Sequence, residues 1–490
     1  MSPSIRLRVA VALLLSGTAL HAQGTDAITQ QIANSVQQNV RGSLTLRSRD
    51  DIIRIEDRRD RKAAAAFFKD SGHVREGTEY GGWTTLSFLD IHDLDHVGSA
   101  KDPISSVFLA DSRLWFKHTW SARRNVFLRV RKQDLDVNTA PGVVPYDTRT
   151  KETLDIDLLT YDFPVMSTDW RLGRQFIRVG RGLVLSDTLD GGQVEYRTRD
   201  GVRVSGFAGS TLHRSDNIDT NVVGFDQGHN NRTFVGVQGE YTTEQNHHVT
   251  AYYLDENDNS STANPLQDPF SYNYDAHYGG LGSEGSLSER TIYSGEVVWE
   301  GGLAGTANGG VARERIDAAA AWLSLFHRIE GTTVPTLTFD YGWGSGDPHR
   351  FSVTDSGVRG PGFGKGDQNF IGFGRFDGGL ALQPRLSNLH VIRLGFQFKP
   401  FTQLKAPTDL LAGFKLTDYE KSTLSGPISD PVATLAARHV GVGADLFVAW
   451  KPLSDVDFLV EYGGFSPGDA YPVGARDSTN KIAITSTISY

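Results

Sequence analysis

The chain has 490 residues, a formal net charge of −9, 53 glycines and no cysteine. Its mean hydropathy of −0.32 and 22 % charged residues exclude a bundle of transmembrane helices, each of which needs about 20 consecutive apolar residues. The missing cysteine excludes a disulfide scaffold, thiolate metal sites and a cysteine nucleophile, and the acidic balance without a basic domain argues against a nucleic-acid partner.

Residues 1–22 read as a secretory signal peptide. Arg6 and Arg8 form a positive n-region, Val9 to Leu15 an apolar h-region too short to span a bilayer, and a cut is expected after Ala22. Cleavage removes those two arginines and no acid, taking the net charge from −9 to −11. Residues 23–42 read as a periplasmic or flexible segment, in which Ile28, Ile32 and Val36 recur at the spacing of a short amphipathic helix.

From residue 43 to 490 the chain reads with period two, as strands. Leu114 and Phe116 oppose Arg113 and Lys117; Val126, Leu128 and Val130 oppose Arg129 and Arg131; Leu154, Ile156 and Leu158 oppose Asp155 and Asp157. Further on, Val440, Val442, Ala444, Leu446, Val448 and Trp450 share one face, with Asp445 and Lys451 on the other. Ile482, Ile484, Ile488 and Tyr490 alternate with small polar residues up to the final aromatic, like the assembly signal of bacterial outer-membrane barrels. Soluble sandwich strands are usually about 5–6 residues long, whereas these run to about ten, the length a tilted strand needs to cross a membrane. Trp115, Trp120, Trp170, Trp299, Trp343 and Trp450 are placed for interfacial girdles.

The expected fold is therefore all-β, a transmembrane antiparallel β-barrel of 16–18 strands with 18 preferred, in the bacterial outer membrane and in contact with its lipid. About 18 stretches are strand-like, starting near residues 43, 80, 107, 125, 153, 168, 192, 201, 233, 247, 291, 317, 334, 388, 409, 438, 456 and 479. Tight turns near 121–124, 200, 244–246, 330–333 and 452–455 fit one up-and-down order only if another strand lies between 255 and 330. The Tyr-rich Phe270 to Tyr278 segment could supply it, which would leave the stretch from Ser43 outside the barrel. The longest loops are expected at 256–289 and 344–387.

If the apolar face meets lipid, the charged face lines a lumen. Arg113, Lys117, Arg129, Arg131, Arg174, Arg178, Arg197, Arg199, Arg203 and Arg393 all lie on or near predicted strands. Arginine at the bilayer midplane costs about 2–4 kcal/mol, so these are expected inside, where a positive zone favours anionic solutes and guanidinium groups pair with carboxylates. The competing reading is that they pair across the lumen with Asp155, Asp157, Glu195, Asp340, Asp445 and Glu461 and merely stiffen it. The two readings weigh equally here.

The segment Arg171-Leu-Gly-Arg-Gln-Phe-Ile-Arg178, followed by Leu185-Ser-Asp-Thr-Leu-Asp-Gly191, resembles the alginate-export family of outer-membrane proteins. So do Asp340-Tyr-Gly-Trp-Gly-Ser-Gly-Asp347, Asn388-Leu-His-Val-Ile-Arg393 and Glu461-Tyr-Gly-Gly-Phe-Ser-Pro-Gly468. The resemblance implies an 18-strand barrel whose arginine-rich constriction passes an anionic polyuronate outward by passive diffusion. It implies Arg174, Arg178 and Arg393 as pore arginines and Asp190 as an acidic partner, with Arg113 and Arg129 added on strand phase and Arg197 as a further lumen arginine.

Other chemistry is weakly supported. Asp255-Glu-Asn-Asp-Asn259 lacks the glycine and final glutamate of a calcium loop and reads as a solvated turn. His247 and His248 are adjacent, so on a strand they face opposite sides. Gly360-Pro-Gly-Phe-Gly-Lys lacks the spacing of a phosphate loop. His349, His390 and His439 read as rim residues. No enzyme, cofactor or metal is expected. The partners are an anionic polysaccharide, membrane lipid and, for an exporter, periplasmic export machinery, for which no docking motif is visible. A general or nutrient-uptake porin is the alternative, and a barrel-borne hydrolase the third reading.

Overall fold

The computed structural model describes most of residues 76–490, leaving out connecting segments such as 212–231, 260–273 and 351–361. The signal peptide, the 26–40 segment and the stretch from Ser43 lie outside the described residues, apart from Val9–Ala10, which pair with Thr148–Arg149.

Eighteen strands close into one barrel. They are β1 Gly77–His92, β2 Ile104–Ser121, β3 Arg124–Thr139, β4 Lys151–Val165, β5 Thr168–Val179 and β6 Leu185–Arg197. Next come β7 Val202–Ser210, β8 Arg232–Thr242, β9 His248–Asp258, β10 Tyr274–Ser288, β11 Thr291–Gly305 and β12 Arg313–Arg328. The last six are β13 Thr336–Gly344, β14 Leu389–Phe398, β15 Asp409–Lys421, β16 His439–Leu453, β17 Val456–Pro467 and β18 Thr479–Ser489. Each strand pairs antiparallel with its sequence neighbours, and β18 closes the ring on β1, from Trp83 opposite Ser489 to His92 opposite Asn480. Closure removes the sheet edge from most of the ring, as a backbone in lipid requires; residues 151–158 of β4 pair only with β3.

The up-and-down order places the two-residue turns at one end, whereas the 180–184 turn between β5 and β6 lies at the other. Residues 122–123, 166–167, 289–290 and 454–455 turn at the first end, together with Tyr490, while the long connections, including 345–388 and 422–438, gather at the second. Short turns mark the periplasmic end and long loops the outside. The missing strand is β10, which overlaps the Tyr-rich segment, so the expected loop at 256–289 is a shorter connection followed by a strand.

One face of the alternation is apolar and open: Leu114, Phe116, Val235, Val237, Trp299, Leu446, Val448 and Trp450 all point outward. Trp115 is an exception to the girdle expectation. It shares the inward phase of Asp111 and Arg113 and stacks on Phe127 at 6.2 Å. A second departure is at Asp255–Asp258, which is the end of β9 rather than a solvated turn, with Glu256 fully buried beside Arg232.

Candidate pore constriction

Two segments leave the wall and fill part of the lumen. The first is the upper half of the β5–β6 hairpin. Pairing of β4 with β5 stops at Leu159 opposite Arg174, and pairing of β6 with β7 stops at Asp190 opposite Ser210. Residues 175–189 therefore form a two-stranded arm paired along its ladder to itself and bridged at Leu185 to Phe373. The arm departs at Gly173, whose φ of +115° and 2.1 Å approach of a virtual Cβ to the Leu159 carbonyl admit no side chain. Its tip crosses toward the far wall. Gly180 N–H donates to Gln238 Oε1 on β8 (2.8 Å), and the Arg181 guanidinium donates to Ser294 O (2.8 Å) and Ser324 Oγ (3.2 Å). The same guanidinium lies 4.1 Å from the centre of the Trp322 ring, a cation–π contact.

The second segment is the connection 345–388. Ile371 N–H donates to Glu300 Oε2 (2.9 Å) and Tyr278 O–H donates to Ile371 O (2.8 Å), anchoring the loop to the inner wall. Phe373 N–H donates to Val184 O at 2.8 Å, joining loop to arm. Further along, Asp377 accepts from Arg393 (2.9 Å) and Lys415 (3.2 Å), and Leu380 N–H reaches Asp445 (3.2 Å). Burial pushes the Asp377 carboxyl up, but Arg393 and Lys415 outweigh it and hold it well below the usual carboxylate range. Ile177, Val179, Leu185 and Leu189 of the arm pack with Phe370, Ile371 and Phe373 of the loop and Phe234, Leu254 and Val298 of the wall into one apolar core inside the barrel.

The β1–β4 wall carries a charge cluster of its own. Asp111 accepts from Arg113 (3.1 Å) and Arg131 (2.8 Å), and Asp157 from Arg129 (2.5 Å) and Arg113 (3.3 Å). Three guanidinium groups thus share two carboxylates, with Trp83 under Arg129 at 5.4 Å and Arg113 at 5.8 Å. Asp157 is the extra residue of a bulge, since Arg129 faces Leu158 and Val130 faces Ile156. Nearer the periplasmic mouth, Arg203 and Arg197 both bind Glu195, and Arg203 also approaches Glu240 at 3.4 Å.

Residues 91–484 match the family described as "Alginate export". The chain belongs to the alginate-export family. The barrel is also similar to solved structures from Pseudomonas aeruginosa, OccK5 (OpdH) at a TM-score of 0.52 and 11% identity, covering 84% of this chain and 98% of that one. OccK1 (OpdK) gives 0.51 and 11%, covering 84% and 99%, as does a structure of OpdK with vanillate. At that identity the likeness shows the fold alone. No curated protein matches the chain. Family and fold are those of outer-membrane channel porins, and the chain is an outer-membrane channel.

Within this alginate-export barrel the motif residues occupy distinct places. Arg174 sits at the root of the arm, bidentate on Asp190 (2.6 and 2.8 Å) and donating to Ile156 O (2.8 Å). Arg174, Asp190 and Arg178 share the face of Trp170 and Leu172, opposite the buried Gln175, Ile177 and Val179. Arg178 donates to the carbonyl of Arg181 at the arm's tip. Arg393 is brought together with Asp377 and Lys415, and Arg113 with Arg129, while Arg197 stands apart near the mouth. Arg181 and Asp377 were not selected by sequence; the Gly-Arg-Gly run at 180–182 marks a turn, and nothing in it shows that the turn points inward.

Among the described residues no group of three or more histidine or carboxylate side chains is arranged to hold a metal. His247 meets Tyr293 (3.1 Å) and His248 meets Thr242 (2.8 Å) on opposite sides of the strand. His390 meets Tyr341 on the outer face at 3.0 Å.

Proposed function

We propose that this channel passes an anionic polysaccharide of the polyuronate class by passive diffusion along an arginine-rich side of its lumen. The observation that carries this is the sorting of charge inside the barrel. Arg113, Arg129 and Arg131 gather around Asp111 and Asp157 on the β1–β4 wall, and Arg171, Arg197 and Arg203 continue the basic series toward the periplasmic mouth. On the opposite wall, Glu256, Glu296 and Glu300 are covered by the arm and the 345–388 loop, with exposures of 0%, 3% and 3%. Acids removed from the water path, and Arg171, Arg197 and Arg203 left partly exposed beside it, favour an anion over a cation. An extended polyuronate presents one carboxylate per sugar, which successive guanidinium groups can hand along. Arg174, Arg178, Arg393 and Asp190 are assigned to the same path, at the arm and loop that narrow it.

A second reading is a porin for small carboxylates, favoured by the fold shared with OpdK, of which a structure with vanillate exists. Block of ion current by oligouronate, compared with a neutral oligosaccharide of equal length, separates the two. Polymer-length-dependent block by the uronate alone, weakened in Arg129→Ala, supports the exporter reading; equal block by both sugars contradicts it.

A further inference from the structure

Three outer connections meet on one buried histidine. His96, 2% exposed, lies in the β1–β2 turn between Asp93 and Gly98. Its Nε2 is 3.1 Å from Asp430 Oδ2 in the 422–438 connection. Its Nδ1 is 2.9 Å from Thr479 Oγ1 at the start of β18 and 3.3 Å from the Asp477 carbonyl. The Thr479 hydroxyl donates its single hydrogen to the Asp93 carbonyl at 2.6 Å. With the Thr479 hydroxyl donating to Asp93, both ring nitrogens face acceptors, and a doubly protonated imidazolium satisfies them.

The surroundings are built for that charge. Tyr471 O–H (2.8 Å) and Val432 N–H (2.9 Å) also donate to Asp430, and Tyr471 and Phe465 set their rings edge-on to His96 at 4.9 and 5.7 Å. Burial pushes the Asp430 carboxyl up, but the hydrogen bond and charge of His96 outweigh it and hold it below its ordinary value. The turn is strained, with φ of 56° at Asp93 and 59° at His96, a conformation that persists only where its surroundings over-determine it. Other charges face the pocket. Lys421 of β15 donates to Ala433 O (2.8 Å) and Leu435 O (3.0 Å), Lys481 of β18 is buried, and the Asp477 side chain lies against Gly98. His439 of β16 is half-exposed and faces Asp418 at 3.5 Å.

The clamp is joined to the constricting loop. Asn388 donates to Thr423 O (3.1 Å) and Pro427 O (3.0 Å), and Ser429 Oγ accepts from Arg385 N–H (2.9 Å). We infer that His96 is a proton-operated tie: as imidazolium it clamps the β1–β2, β15–β16 and β17–β18 connections together and, through Asn388 and Ser429, steadies the 345–388 loop. Loss of the proton removes the ion pair with Asp430 and leaves a lone pair on Nδ1 facing the Asp477 carbonyl. Thr479 must then abandon Asp93 to satisfy that nitrogen. The clamp is present at lower pH and lost as pH rises.

Amide hydrogen exchange of 93–98, 422–438 and 468–478, corrected for intrinsic rates, tests this at about pH 5.5 and about pH 8.5, bracketing histidine titration. Protection in the wild type falls about tenfold on raising the pH, equivalent to about 1.4 kcal/mol. It is low and flat in His96→Gln and retains its step in His439→Gln. Unchanged wild-type protection, or a surviving step in His96→Gln, overturns the proposal. Should His96→Gln not fold, the charge state read from the His96 ring carbons in the wild type decides alone, and a neutral ring at the lower pH overturns it. None of these readouts depends on what the channel conducts.

Discussion

At Asp157 the β4 strand carries one residue more than β3 can oppose, and the bulge turns that carboxylate to both Arg113 and Arg129. Removing it leaves two nearly buried guanidinium groups beside each other. Breaking a buried pair costs about 3–5 kcal/mol, so Asp157→Ala lowers stability by about 3 kcal/mol in urea unfolding from lipid, while anion selectivity rises. A change below a few tenths of a kcal/mol would mean that Asp157 carries little of the cluster. Strand phase made Arg113 and Arg129 legible, because an arginine that alternates with leucine and valine cannot also face hydrocarbon. The bulge was not legible, since period two has no mark for an inserted residue. Gly173 is a second residue-scale test: Gly173→Val meets the Leu159 carbonyl and a disfavoured φ together, and costs about 2 kcal/mol by the same measurement.

The arm and the 345–388 loop are elements whose existence the sequence shows and whose direction it does not. The start of β6 falls at Leu185 rather than near residue 192, because 185–189 belongs to the arm and packs against the loop instead of lipid. The start of β10 was obscured by glycine. Gly280 faces inward, where the Tyr252 ring comes within 2.1 Å of a virtual Cβ, so the alternation loses an inward side chain. Arg181 latches the arm to the far wall, and Arg181→Ala removes a cation–π contact and two hydrogen bonds worth about 2 kcal/mol together. Single-channel recording then shows larger, noisier openings; unchanged noise would mean the apolar core alone holds the arm. The loop's tether to Arg393 has a definite pH dependence. A depressed Asp377 carboxyl contributes stability that is complete above its unfolded value of about 4 and is lost only as pH falls through the depressed value. Protease access to the loop therefore does not increase as pH falls from about 7 to about 4, and greater exposure within that window would contradict the pairing.

As a whole molecule, the barrel follows from alternation, strand length and turn parity, each readable before the fold was known. The parity of the tight turns required one more strand between 255 and 330, and β10 fills that place. What alternation could not supply is the interior. An apolar core of tyrosine, phenylalanine and leucine inside a pore is invisible to a rule that assigns apolar residues to lipid. The same blindness hid the asymmetry of charge, which depends on which acids the arm and loop cover. The zero-current potential of the purified protein in a planar bilayer under a KCl gradient measures what that asymmetry does to passing ions. Anion selectivity, reduced by added oligouronate and by Arg113→Glu with Arg129→Glu, is the predicted result. Cation selectivity, or a potential indifferent to both the uronate and the paired substitutions, would contradict it.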